Sequence, residues 1–280
     1  MLLSKLLDKI DTKDIISCNF SQKIDYITAN SKLIKKNSIF IIDCYKQIKK
    51  KYINEAFNNG AVAILTNKKI KNIKYNQIVV KNLTSSSNLI LNKLKPFKPK
   101  NIIGVTGTNG KTSVVWITSN ILKECKYNVK SLGTLGYYKN LKKIKDTSLT
   151  TPEKEEIIQF AQSSDSKKTN FVFEVSSHSI SKKRISNMYI NVGAITNVTQ
   201  DHLDFHKSFA NYKKTKFNFL LKNLANNGTA IINENIKGIK NLEKKLKKRN
   251  IKTITYGKNN SNVNCYNLNK KTRIKIYSKF

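Results

Sequence analysis

The stretch "GVTGTNGKT", Gly104 to Thr112, carries three glycines and closes on Gly110-Lys111-Thr112. Glycines let a backbone approach a phosphate chain, and successive N–H groups at the head of a helix form a nest for anions. Lys111 is placed to reach the outer phosphates, and the Thr112 hydroxyl is placed for Mg2+. The strict G-x-x-x-x-G-K-T spacing needs a glycine where this chain has Val105, so the motif is a variant. An apolar strand precedes it and a helix follows. That context favours nucleotide binding over a plain glycine turn between two elements.

A nucleoside triphosphate brings Mg2+, which prefers carboxylate oxygens. In "FEVSSHSISKKR", Phe173 to Arg184, Glu174 lies near the C-terminal end of an apolar run. Ligands gather at such strand ends in open α/β sheets, and a carboxylate there is costly unless it meets a cation. The plainer alternative is a glutamate facing water. "DHLDFH", Asp201 to His206, follows another apolar strand and holds two of the three histidines, the third being His178. His202 is thus a candidate to bind or orient a metal ligand, although a polar loop with helix-capping aspartates explains the spacing equally well. No G-x-S-x-G elbow is present, so a Ser-His-Asp nucleophile is not expected.

Alternating strands and helices must carry these groups. "SIFIID" (38–43), "AVAIL" (61–65) and "QIVV" (77–80) are expected strands. "YINEAFNNG" (52–60) is an expected helix ending at glycine, and 85–94 a polar helix. "KPFKPK" (95–100) holds two of the three prolines and is the best linker. Beyond it, strands are expected at 101–106, 170–175, 192–196, 229–233 and 251–257, and helices at 112–126, 208–224 and 236–249. The tail from 264 to 280 suits a hairpin around "NKKT". Nearly unbroken apolar strands suit a parallel sheet covered on both faces. The fold class expected is therefore α/β: a small N-terminal α/β domain over 1–98, then a P-loop domain with a mostly parallel sheet over 99–280.

The chain has 280 residues and 39% hydrophobic content, enough for two domains. Its 53 Lys+Arg against 17 Asp+Glu give a net charge of +36. The lysines are dispersed among Asn and Ile, all three with AT-rich codons, so a solvated-surface bias is favoured over a nucleic-acid face. Four widely spaced cysteines, Cys18, Cys44, Cys125 and Cys265, read as reduced thiols. The first ten residues are too quickly charged for a secretory signal, and no apolar run spans a bilayer. A soluble cytoplasmic monomer, with neither membrane nor nucleic acid as partner, is the expectation.

Taken together, "GVTGTNGKT", "TTP" (150–152), "EVSSH" (174–178), "TNVTQDHLDFH" (196–206) and "YKKTK" (212–216) resemble the Mur ligases, most closely those of MurE type. The resemblance covers nearly the whole chain and is weaker before the linker. There, "NSKLIKKNSIFII" looks like a worn form of the family's D-S-R-x-V-x-P-G-D-L-F-V-A segment, with Lys32 for its arginine and Lys36-Asn37-Ser38 for its P-G-D. It implies an ATP-dependent ligase of peptidoglycan synthesis. Such an enzyme phosphorylates the terminal carboxylate of UDP-MurNAc-L-Ala-D-Glu, and the amine of a free amino acid then attacks the acyl phosphate. Within the resemblance, Gly107, Thr108, Asn109, Gly110, Lys111, Thr112 and Ser113 look like the ATP loop. Thr112, Glu174 and His202 look like the Mg2+ set, joined by Lys216 if CO2 carbamylates it. Lys111, Lys216 and His202 are the implied catalytic groups. Ser31, Thr150, Thr151, Ser176, Lys182 and Arg184 look like contacts to the UDP-sugar-peptide, Lys182 standing where the family usually has glutamine. The family's C-terminal, amino-acid-selecting domain has no counterpart here, so the 280-residue chain is expected to lack ligase activity alone. The rivals are another ligase of the superfamily acting on folate or a different peptide precursor, a basic nucleic-acid-binding P-loop protein, and a remnant that only binds nucleotide.

Overall fold

A computed structural model describes residues 1–45, 49–95, 98–162, 166–186, 188–257, 262–267 and 274–278. The chain divides into two compact units, Met1–Lys98 with Ile158–Ser163, and Pro99–Ile157 with Ser164–Phe280.

In the first unit the elements run α1 (Leu3–Leu7), β1 (Thr12–Ile16), β2 (Tyr26–Thr28), β3 (Ser38–Ile42), α2 (Lys50–Asn58), β4 (Ala61–Thr66), β5 (Gln77–Val80) and α3 (Leu83–Leu94). The sheet order is β1-β5-β4-β3-β2, parallel except for β1 at one edge. The period of two explains how it is covered. Along β3, Ile39 and Ile41 enter the cluster containing Leu3, Leu6, Ile90 and Leu91, while Phe40 and Ile42 enter the one built on Ile53 and Ala56 of α2. Two expected boundaries shift. Asn82 caps α3 by accepting from the Ser85 N–H, so the helix begins at Leu83. The helix expected from 52 begins at Lys50. Of the linker 95–100, residues 96–97 lie outside those described.

The second unit contains β6 (Asn101–Thr106), α4 (Lys111–Glu124), β7 (Asn128–Gly133), β8 (Gly136–Lys139), β9 (Lys142–Lys145), α5 (Lys154–Ala161, whose second half groups with the first unit), β10 (Thr169–Glu174), α6 (Ser177–Ser181), β11 (Ile190–Ile195), α7 (Leu203–His206), α8 (Phe209–Asn223), β12 (Leu224–Asn233), α9 (Ile239–Lys247), β13 (Lys252–Gly257), β14 (Val263–Asn267) and β15 (Ile274–Ser278). Its sheet order is β15-β14-β13-β12-β11-β6-β10-β7-β8-β9. From β14 to β7 neighbours are parallel; β15 and the β8–β9 ribbon are antiparallel additions at the two edges. The tail hairpin thus forms, though its turn lies outside the described residues. The expected helix 236–249 is shorter, because Gly238 sits in the left-handed region at φ 94° and α9 starts only after it.

Strand β6 lies at the centre, with β10 on one side and β11 on the other, so the C-terminal ends of all three meet. On one face, Gly104 of β6 is paired with Gly193 of β11. A Cβ added at Gly104 would meet Phe219 Cζ at 2.9 Å, and one at Gly193 would meet Leu220 Cδ2 at 2.7 Å. Helix α8 therefore packs directly on this glycine pair, and Lys216, one turn earlier on the same helix face, is carried to the end of β6. On the other face, Val115 of α4 packs with Val105, Val129 and Val172. Among the described residues no helix is long and apolar enough to cross a membrane.

Candidate functional site

The loop between β6 and α4 is held by the segment after β11. Asn109 N–H donates to Asn197 Oδ1 (2.9 Å), and Thr196 Oγ1 donates to the Asn109 carbonyl (2.6 Å). The Thr108 hydroxyl lies 3.1 Å from Tyr212 Oη and accepts from the Thr199 N–H at 3.0 Å. Gly107 is needed for fit, since a Cβ there would stand 1.8 Å from Thr196 Oγ1. Gly110, at φ 81°, opens α4 with no side-chain cap. The first-turn N–H groups of this long helix have no intrahelical partners and face the loop, the geometry that accepts phosphate oxygens. Ser113 is exposed on that first turn.

Lys111 folds back, its Nζ donating to the Gly107 and Thr108 carbonyls at 2.9 and 2.8 Å. Burial holds its pKa below the usual lysine value, with Glu174 and Asp201 pulling the other way. Lys216 approaches from the opposite side, donating to the same Gly107 carbonyl at 2.8 Å. It is 1% exposed, and burial together with the neighbouring Lys111 pushes its pKa down to about 7 against the pull of Asp201. It is therefore no surface lysine: two amines share one carbonyl, where an arriving anion would satisfy both.

Glu174, at the end of β10, is 1% exposed and faces the protein, not water. Its Oε2 accepts from Thr112 Oγ1 at 3.0 Å and its Oε1 from the Thr134 N–H at 2.7 Å. Gly133 lies so close that a Cβ there would stand 2.1 Å from Oε1. The pair Thr112–Glu174 offers hydroxyl and carboxylate oxygens at the head of α4, a donor chemistry that suits Mg2+. His202 is not drawn into that pair. It sits at φ 49° with Nε2 3.4 Å from Asp201 Oδ2, in an aromatic cluster with His178, His206, Phe205 and Tyr212. All three histidines thus share one neighbourhood, and burial lowers the pKa of His178 and His206. Among the described residues no group of three or more His, Cys, Asp or Glu is arranged to hold a metal.

Of the expected substrate contacts, Thr151, Ser176 and Arg184 form one network. Thr151 Oγ1 donates to the Glu174 carbonyl (2.9 Å) and accepts from the Ser176 N–H (2.9 Å), and Arg184 Nη1 donates to the Thr151 carbonyl (3.0 Å). The Ser176 side chain caps α6 by accepting from the Ser179 N–H, so "EVSSH" is a strand end turning into a helix. Thr150 Oγ1 is 3.2 Å from Thr134 Oγ1, and Lys182 is exposed with its amine over the Phe205 ring. Ser31 belongs to the first unit, where it is buried and donates to Glu55 Oε2 at 2.5 Å. Sequence reasoning missed Gly133, Thr134, Glu153 and Tyr212. Of these, Glu153 pairs with Arg184 Nη2 at 2.8 Å. "LGTLG" (132–136) turns from β7 into β8, and only the fold brings it against Glu174.

Residues 105–279 match the Mur ligase middle domain. A UDP-N-acetylmuramoyl-L-alanyl-D-glutamate–2,6-diaminopimelate ligase from Alkaliphilus oremlandii is 35% identical over 92% of this chain and 53% of its own length. One of the same name from Clostridium botulinum is 36% identical over 90% and 52%. The chain spans about half the length of these curated relatives. A solved structure of a ligase of that name superposes with TM-score 0.74 at 19% identity, over all of this chain and 58% of that one. A MurF ligase from Thermotoga maritima, solved with ADP, gives TM-score 0.61 at 19% identity over 90% and 56%. At such identities the structures establish the fold, and the match over most of the length of the chain establishes its descent: the chain belongs to the Mur ligase family.

Proposed function

We propose that this chain carries the nucleotide-phosphate and UDP-sugar-peptide sites of an ATP-dependent amide ligase acting on UDP-N-acetylmuramoyl-L-alanyl-D-glutamate. The names of the relatives support 2,6-diaminopimelate as the incoming amino acid. The observation carrying this reading is the convergence of Thr112, Glu174, Lys111 and Lys216 around one uncapped helix head. In the proposed reaction a phosphoryl group passes from ATP to the substrate carboxylate, releasing ADP. The amine then forms the C–N bond, phosphate leaves, and the amine gives up a proton.

Each residue has a physical task in this scheme. Loop N–H groups of 107–113 and Lys111 hold phosphate oxygens and offset developing charge. Thr112 and Glu174 would hold Mg2+, which supplies charge neutralisation on the transferring group. His202, paired with Asp201, stands apart from those two residues beside the other histidines. Lys216, half uncharged near neutral pH, has the free lone pair that adds to CO2 with loss of a proton, giving a carbamate with carboxylate-like oxygens. Thr150, Thr151, Ser176, Lys182 and Arg184 would receive the sugar-peptide, and Ser31 with its unit the uridine diphosphate end.

Calorimetric titration with ADP and, separately, with UDP-MurNAc-L-Ala-D-Glu tests the reading. Both are expected to bind, ADP in a Mg2+-dependent way that Glu174→Gln weakens by about tenfold or more, the loss of a hydrogen-bonded charged ligand. Binding of a dihydropteroate, or steeply salt-dependent binding of DNA, in place of the UDP-sugar-peptide would refute it.

A further inference from the structure

We infer that Thr134 is a positioning residue that links the cation side of this site to its substrate side. It holds the Glu174 carboxylate from one direction and Thr150 from the other. The inference rests on the ligase reading and adds a residue to it.

Thr134 follows β7 directly, and Gly133 presses the backbone onto Glu174, leaving no room for a Cβ. The Thr134 N–H fixes Oε1 at 2.7 Å, which leaves Oε2 for Thr112 at 3.0 Å. The Thr134 hydroxyl lies 3.4 Å from the same Oε2 and 3.2 Å from Thr150 Oγ1. A hydroxyl has one proton to give. With Glu174 unoccupied by a cation, Thr134 donates to Oε2 and accepts from Thr150. A cation on Oε2 removes that acceptor and turns the proton outward, toward Thr150 or an anionic oxygen bound beside it. Thr134 is exposed and Thr150 half-exposed, so a ligand carboxylate can reach both. Cation binding at Glu174 thereby prepares a donor for the substrate. Reciprocity requires that substrate binding strengthen cation binding by the same factor.

The readout is the affinity for UDP-MurNAc-L-Ala-D-Glu with and without Mg2+ and ADP, followed by the fluorescence of Trp116. This is the single tryptophan of the chain, and it lines a cavity of about 10 Å³ together with Thr112 and Glu174. In the wild-type chain Mg2+ and ADP are expected to tighten substrate binding. Thr134→Val keeps the N–H and the branched shape but has no hydroxyl, so it loses about tenfold of that reinforcement, the size of a hydrogen bond to a charged group. Thr134→Ser restores it, which a purely structural role would not produce. Thr150→Val loses the same factor, and the double variant loses no more than either single one. Reinforcement that survives in Thr134→Val, or is absent from a wild-type chain that binds both ligands, overturns the inference and leaves the ligase reading standing. A wild-type chain that binds neither ligand overturns both.

Discussion

Replacing Lys216 by methionine should make the protein more stable at neutral pH, although Lys216 sits at the heart of the site. The amine is 1% exposed, and its pKa falls from 10.5 to about 7. At pH 7 the unfolded chain holds this proton and the folded chain holds it half the time. At about 1.36 kcal/mol per pH unit, folding then carries a penalty of about 4 kcal/mol from this group. Methionine, of similar length and volume, carries none. Its cost is the bond to the Gly107 carbonyl at 2.8 Å, whose buried acceptor loses a partner worth about 1–3 kcal/mol. The net expectation is a gain of about 1–3 kcal/mol at pH 7. Between pH 7 and 10.5 the unfolded chain binds more protons than the folded one, so the stability of the wild type rises with pH relative to the variant. By pH 9.5 the penalty is about 1 kcal/mol, and the two chains should be equal or reversed in order. Urea unfolding at the two pH values, in buffer depleted of carbon dioxide, gives the comparison. A variant less stable than wild type at pH 7, or a difference that does not change with pH, would refute this account of Lys216.

The same reasoning applies to Lys154, 7% exposed, with no hydrogen-bond partner for its amine and a pKa lowered to about 8 by burial. Lys154→Met sacrifices no bond and should gain about 2–3 kcal/mol below pH 8, an advantage that fades toward pH 10.5; chemical denaturation across that range reads it. Gly133→Ala places a Cβ 2.1 Å from Glu174 Oε1, so the carboxylate or the strand end must move. A loss of about 1–3 kcal/mol in stability and weaker Mg2+-dependent ADP binding are expected, and unchanged ADP affinity would show that Glu174 does not hold the cation.

Much of the fold was legible because its strands are buried on both faces and therefore read as unbroken apolar runs. β5 and β6 have the expected bounds, and β3, β4, β10 and β11 differ by one or two residues. The β7–β8–β9 region was not legible. "KKIK" of β9 is exposed along its whole length and carries no apolar signal, since its partner strand, not its burial, makes it a strand. Helix α5 was hidden for the opposite reason, because its N-terminal charges Lys154 and Glu155 are buried against the usual expectation.

The sequence by itself determined the glycine-rich loop at the head of a helix, the carboxylate at a strand end and the family, because glycine spacing and residue type survive in one dimension. Tertiary structure alone decided three further things. Lys216, one of many lysines in the sequence, became a buried amine because Gly104 and Gly193 let α8 lie close on the sheet. The three histidines became neighbours because β10 and β11 flank β6. Thr134, 40 positions from Glu174 along the chain, became its hydrogen-bond partner because β7 pairs with β10 in parallel, which brings their C-terminal ends together. Such contacts depend on which strands are neighbours, and local residue patterns do not encode strand order.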